Sequence, residues 1–288
     1  MIIGIIGIGL IGSSLARAFR DRGAGEIYIS DRSKPYLEQA ERLNLGGRYF
    51  RDAQELASHC DIIFVCVPVE SIVATVRDIC PHLKQGTVVT DVGSVKSPVT
   101  NEVRAFLPSG ISFVPGHPIT ADSEQSGPAA GRADLFEDKT YVLIGRPEKD
   151  DATAKVTALV EKTGARVAYL DADKHDLILA FTSHLPHICA FAAMASTEKA
   201  SERARTNVLD YAGGSFRDLT RVAASGAEMW KDIFLSNRQY VIEAYRLMRE
   251  EMDHLVGLIE KDSADEIEDY IGHARELRSR HYNDGGKA

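Results

Sequence analysis

The chain has 288 residues, 44% of them hydrophobic and 26% charged, which is length enough for two ordinary domains and a globular rather than disordered composition. Lys and Arg number 34 against 42 Asp and Glu, a net charge of -8, so the basic footprint of a nucleic-acid or anionic-membrane binder is missing and neither partner is expected. Cys60, Cys66, Cys80 and Cys189 form no C-x-x-C pair and read as reduced thiols, and the apolar start has no basic n-region, so a cytoplasmic, unexported protein is expected. No apolar run beyond that start is read as reaching the roughly 18 residues of a membrane helix.

In chain order, strands are predicted over 2–6, 26–30, 62–67, 88–91, 112–115, 141–144 and 167–170. Helices are predicted between them over 10–22, 35–43, 53–58, 69–80, 99–106 and 152–163. Strand runs as apolar as IIFVCV have no polar alternation, so helices must cover both faces of a parallel sheet. This is an α/β, Rossmann-type doubly wound sheet over residues 1–170. After Asp171 the β-branched runs vanish, and an all-α domain is predicted over 171–288. Its longest signal is an apolar stripe from 228 to 260, where Trp230, Ile233, Phe234, Val241, Tyr245, Met248, Met252, Leu255 and Ile259 recur at three- and four-residue spacing. A face that long needs a partner surface, either within the chain or across a twofold axis.

The first strand runs into Gly7-Ile8-Gly9-Leu10-Ile11-Gly12, a G-x-G-x-x-G turn that opens a helix. Gly7 permits the tight turn, Gly9 removes a Cβ that would block a pyrophosphate, and Gly12 allows close helix packing. The second strand ends at Asp31, 19 residues past Gly12, the spacing of an acid that bonds the adenosine ribose hydroxyls. A carboxylate there favours NAD over NADP, although the adjacent Arg32 could accept a 2′-phosphate. Val67-Pro68 ends the third long strand at the same carboxyl edge, where ligands of open α/β sheets bind; taken alone, Pro68 could equally do no more than stop a strand.

The remaining polar clusters must decide the reaction. Asp91-Val92-Gly93-Ser94-Val95-Lys96 follows one strand, placing Ser94 and Lys96 near the carboxyl edge, and Gly116-His117-Pro118 follows the next. An imidazole can take a proton from an alcohol while hydride leaves the same carbon; the plainer alternative makes His117 a turn residue. His184 and His187 stand three apart on a predicted helix, but no further ligand completes a metal set, so no metal is expected. Asp218 and Arg221 share a helical face, either as a surface ion pair or as a fork for a substrate carboxylate ordered by its neighbour.

Taken together, GIGLIGSSLA, DVGSVK, GHPIT, SEQSG, LFEDK, TSHLPH, GGSFRDLTRVA and MWKDIFLSN resemble, in order and over nearly the whole chain, the prephenate/arogenate dehydrogenase family of tyrosine biosynthesis. The resemblance implies NAD-dependent hydride removal from C4 of a cyclohexadienol, coupled to loss of the ring carboxylate. It implies that His117 accepts or polarises the 4-hydroxyl proton and that Ser94 bonds near that hydroxyl, the imidazole and the nicotinamide. It further implies that Arg221 holds a substrate carboxylate, that His187 contacts substrate, that Asp218 orients the Arg221 region, and that the helical halves pair in a homodimer. The family's Gly-Thr-Glu turn is replaced here by Thr120-Ala121-Asp122-Ser123-Glu124, where Glu124 corresponds to the family's acid. Lys96 is a substrate contact by the same resemblance, with cofactor phosphate and solvent as its other destinations. No added regulatory domain or fused mutase is expected. Two other readings compete: a two-domain dehydrogenase of the 3-hydroxyacid type, whose N-x-x-K lysine setting is not found here, and a module that senses NAD without turning it over.

Overall fold

The structure, a computed structural model, describes residues 1–120 and 127–282. Chain order is β1 (Ile2–Ile6), α1 (Leu10–Asp21), β2 (Glu26–Ser30), α2 (Lys34–Arg42), β3 (Arg48–Phe50), α3 (Ala53–Ala57), β4 (Ile62–Val65), α4 (Val69–Ile79), β5 (Val88–Asp91), α5 (Ser97–Phe106), β6 (Ser112–Val114), β7 (Gly116–Pro118), β8 (Thr140–Ile144), α6 (Asp151–Glu161) and β9 (Arg166–Leu170). A six-stranded parallel sheet in the order β3-β2-β1-β4-β5-β6 forms a doubly wound dinucleotide-binding scaffold.

Alternate side chains of these strands enter two separate cores, which explains the unbroken apolar runs. Ile3, Ile5, Ile27, Ile29, Ile62 and Phe64 pack with Leu15 and Phe19 of α1, Leu37 of α2 and Val156 and Val160 of α6. Ile6, Tyr28, Ile63, Val65 and Val89 pack on the other face with Leu56 of α3, Ile72 and Val76 of α4 and Val99 and Val103 of α5.

Two strands escaped the periodicity, because each is three residues long. β3 pairs with β2 at the sheet edge, and β7 runs antiparallel to β8, which is parallel to β9, in a second, three-stranded sheet. The expected single sheet is therefore divided. His117 is not a turn residue but the middle of β7, opposite Val142.

From residue 172 the chain is helical: α7 (Ala172–Leu179), a π-helical turn (Ala180–His184), α8 (Leu185–Ala204), α9 (Gly214–Thr220), α10 (Ala227–Ser236), α11 (Arg238–Glu260) and α12 (Ala264–His281). The stripe expected over 228–260 is broken at Asn237, between α10 and α11. Trp230 and Ile233 of α10 join the second core of the sheet, which is why packing divides the chain into Met1–Arg238 and Gln239–Ala288, whereas the change from sheet to helix falls at 170–171. Within the second unit Tyr270 Oη donates to Glu251 Oε2 at 2.9 Å, and Met252, Val256, Ile259 and Ile271 are exposed.

One expectation needs correction. The continuous helical stretch Ala172–Ala204 is long and apolar enough by composition to cross a membrane. His175, Asp176, His184 and His187 interrupt its apolar run, and the geometry below shows what those polar residues do.

Candidate active site

The glycine turn is built as its spacing implies. Gly7 adopts φ +92°, and a Cβ there would lie 2.4 Å from the Cys66 carbonyl oxygen. At Gly12 a Cβ would fall 2.0 Å from the Gly7 carbonyl oxygen, so only glycine lets α1 start this close to the turn. Gly9 is different: a Cβ there would meet nothing within 4 Å, so the space its missing side chain leaves opens outward over the first N–H groups of α1. No acidic residue stands in that first turn, and free N–H groups with the positive end of the helix dipole suit a pyrophosphate. The residues present therefore fit a dinucleotide, with Leu10 and Ile11 on the half-open rim.

Asp31 is 9% exposed and already engaged. Its Oδ2 accepts from Ile8 N–H at 2.8 Å and its Oδ1 from Ser33 N–H at 2.7 Å. The carboxylate thus binds the end of β2 to the glycine turn, and each oxygen keeps a lone pair for a ribose hydroxyl. Arg32 is exposed beside it. β4 stops at Val65, two residues sooner than expected, so Cys66, Val67 and Pro68 form the connection into α4 at the carboxyl edge, with Cys66 N–H bonded to Ile6 O at 2.7 Å.

Lys96 does not reach solvent. Its ammonium is fully buried, pairs with Asp91 Oδ2 and donates to Gly116 O at 2.8 Å. Asp91 in turn accepts from Gly93 N–H at 2.9 Å and Gly116 N–H at 3.2 Å. Burial lowers the Lys96 pKa and the Asp91 charge opposes that shift. Lys96 ties the loop carrying half-buried Ser94 to the first residue of β7.

β7 presents His117, which is 8% exposed. Burial first, then the neighbouring His175, Lys96 and His184, hold its pKa well below the ordinary histidine value, so the ring is neutral at pH 7. Its Nδ1 lies 2.9 Å from Nε2 of His175, whose Nδ1 lies 2.7 Å from Asp176 Oδ1. Asp176 also accepts from Lys96 N–H at 2.8 Å and Ser97 N–H at 2.7 Å, capping α5 from α7. Neither His175 nor Asp176 was singled out from sequence, because no local pattern marks them.

The π turn and α8 supply the rest. Asn237 Nδ2 donates to Asp176 O at 2.8 Å and to His184 Nδ1 at 3.0 Å, and burial pushes the His184 pKa down to about 4. His187 donates through Nδ1 to Ser183 O at 2.9 Å and stacks on Trp230 with ring centroids 3.5 Å apart, which leaves its Nε2 available. Burial also lowers the His187 pKa, and the nearby Arg221 charge adds to that shift. Arg221 opens a 3₁₀ turn (Arg221–Ala224) after α9 and is exposed. Asp218 is exposed on α9, and no hydrogen bond or ion pair joins it to Arg221 among the described residues. Glu124 lies outside the described residues. Among them no group of three or more His, Cys, Asp or Glu is arranged to hold a metal.

A glycine turn fit for a dinucleotide, with a buried neutral imidazole at the carboxyl edge and helices behind it, defines a nicotinamide-dependent dehydrogenase of the two-domain, Rossmann-plus-helical class. Residues 15–169 match the family described as prephenate dehydrogenase, nucleotide-binding domain, and residues 171–273 match prephenate dehydrogenase, dimerization domain. The chain belongs to the prephenate dehydrogenase family. Among its relatives, the cyclohexadienyl dehydrogenase of Zymomonas mobilis is 36% identical, over 90% of this chain and 86% of its own. The structure superposes on prephenate dehydrogenase from Aquifex aeolicus, solved with hydroxyphenyl propionate and NAD+, with TM-score 0.90, 29% identity and 98% of both chains covered. For Synechocystis arogenate dehydrogenase the TM-score is 0.85 at 28% identity, covering 98% of this chain and 100% of that one.

Proposed function

We propose that this chain catalyses the NAD-dependent oxidative decarboxylation of a cyclohexadienyl substrate, prephenate, arogenate or both, to the corresponding 4-hydroxyphenyl product. The observation that carries the reading is His117: an imidazole kept neutral by burial, on a strand clamped to the carboxyl end of β5. A neutral imidazole can take the C4 hydroxyl proton as the C4–H bond breaks, and return it to the phenolic oxygen once the C1–carboxylate bond has broken and its electrons have closed the aromatic ring. NAD supplies the hydride acceptor. Gly7, Gly9, Leu10, Ile11, Gly12, Asp31, Arg32, Val67 and Pro68 would hold it, and Ser94 would bond between the hydroxyl and the nicotinamide. Arg221, an exposed guanidinium near His187, is suited to a substrate carboxylate, and His187 would offer Nε2 to the same molecule.

The alternative readings lack comparable support, since Lys96, the lysine of this region, is sealed on Asp91, and a sensor would need no buried base. Purified protein incubated with prephenate or arogenate and NAD should produce reduced nicotinamide and carbon dioxide in equal amounts. Failure with both substrates would overturn the assignment.

In this reading residues 1–170 bind the dinucleotide, and residues 171–288 bind substrate and form a homodimer. Exposed Tyr245, Met248, Met252, Val256 and Ile259 of α11 support the pairing. Light scattering should report twice the 31.6 kDa chain mass; a monomer would refute it. A cytoplasmic location fits four unpaired cysteines, and no metal, nucleic-acid or membrane partner enters the scheme.

A further inference from the structure

The reaction assigned above uses His117 but gives no part to the two buried polar residues behind it. His175 is 0% exposed and its ring meets that of His117 edge-on, with centroids 5.1 Å apart and planes at 68°. We propose that His175, anchored by Asp176, is a positioning residue that locks His117 in the tautomer with its proton on Nδ1 and its Nε2 free to receive the substrate hydroxyl proton. The inference rests on the reading of His117 as the base.

With His175 neutral, the direction of every proton in the chain follows from one group that cannot donate. The Asp176 carboxylate is acceptor-only, and its two oxygens already take the backbone N–H groups of Lys96 and Ser97. The 2.7 Å contact from His175 Nδ1 is therefore an N–H donated to Asp176. A neutral imidazole with its proton on Nδ1 has a lone pair only on Nε2. His175 Nε2 is then an acceptor, and the 2.9 Å contact to His117 requires that His117 Nδ1 donate. The remaining nitrogen of His117 carries no proton. In water a neutral imidazole favours the opposite tautomer, in which Nε2 is blocked, so the base depends on this arrangement.

The surroundings keep the His117 ring neutral. His117 is faced by His175 from α7, by the Lys96 ammonium from the loop after β5 and by His184 from the π turn, and a second positive charge among them would be unfavourable. Asp176 is itself fixed from two sides, by the start of α5 and by Asn237 on its carbonyl. The carboxylate that sets the tautomer is thus also the cap of the helix following the Ser94 loop.

The tautomer can be read without turnover. In full-length protein labelled with 15N-histidine, long-range 15N–1H correlation at about pH 7.5, with the His117 signals identified by their loss in His117→Asn, should show a protonated Nδ1 and an unprotonated Nε2. In His175→Leu, His117 should revert to the Nε2–H form or to a mixture, whereas His175→Gln should keep the native tautomer because its amide oxygen accepts the same N–H. Kinetically, His175→Leu should lower kcat about 10- to 100-fold, part of what a general base contributes, with substrate KM within about twofold, while His175→Gln should recover most of kcat. An Nε2–H signal for His117 in the native protein would overturn the inference, as would an unchanged kcat in folded His175→Leu. If His175→Leu does not fold, the native spectrum and His175→Gln still decide. Should the native protein turn over neither cyclohexadienyl substrate, the reaction assignment fails while the spectrum still reports the tautomer.

Discussion

Lys96 and Asp91 form an ion pair in which neither side chain reaches solvent. The pair joins the loop after β5 to β7, because Lys96 Nζ and Asp91 Oδ1 engage the carbonyl and the N–H of the same residue, Gly116, immediately before His117. The imidazole is placed by a strand only three residues long, and this buried clamp holds that strand against the main sheet.

Removing one member of such a pair leaves the other charge desolvated, which costs about 3–5 kcal/mol. Lys96→Met should accordingly lower unfolding free energy by that order in urea titrations. A variant of native stability with a raised substrate KM would instead give Lys96 the substrate-contact role that the family resemblance implied.

His117→Asn and Arg221→Ala should fail in different ways. Loss of the base should lower kcat by about 10²- to 10⁴-fold with cofactor and substrate binding nearly intact. Loss of the exposed guanidinium should raise KM, since a charge-assisted contact to a carboxylate is made in ground and transition states alike. Steady-state kinetics with the two variants side by side checks both; full activity in both would mean that the proton and the carboxylate are handled elsewhere.

Cofactor choice should follow Asp31. The ratio of kcat/KM for NAD to that for NADP should exceed one, and Asp31→Asn should shrink it by removing the charge that repels a 2′-phosphate. Because the carboxylate also holds Ile8 N–H and Ser33 N–H, Asp31→Ala should lose stability by about 1–3 kcal/mol as well. Equal ratios in native and variant proteins would assign the selectivity to Arg32 or another neighbour.

Stability should fall as pH drops from about 6.5 towards 4. His184 titrates near its ordinary value of 6.5 when unfolded but at about 4 when folded, so in that window the unfolded chain binds the extra proton and acidification favours it. A shift of that size corresponds to something on the order of 3 kcal/mol. His117, also depressed by burial, acts in the same direction. The carboxylates whose pKa is lowered, Asp61 and Asp150, lose their contribution only below 3.8. Urea midpoints at pH 7.5 and 4.5 measure the drop, and His184→Gln should reduce it; a variant that loses as much as the native protein would disprove the assignment.

What could be read along the chain was local. The glycine turn is legible because backbone φ and the room for a Cβ are fixed within six residues, and Asp31 because one βαβ unit spans its distance from the turn. Strands β1 and β4 are legible because burial on both faces demands unbroken apolar runs. His117, Ser94, His187 and Arg221 could be marked only where motif strings stood out. The structure decided what depends on long-range pairing. β7 is three residues long and exists because β8, more than twenty residues later, accepts it. Lys96 sits in a loop motif that looks available for ligands and is buried because Asp91 and Gly116 converge on it. His175 meets His117 across 58 residues of chain, through a helix whose own sequence carries no motif. Proton direction in that contact is set by a carboxylate occupied by N–H groups some 80 residues away, and no spacing rule encodes an acceptor that tertiary packing has already filled.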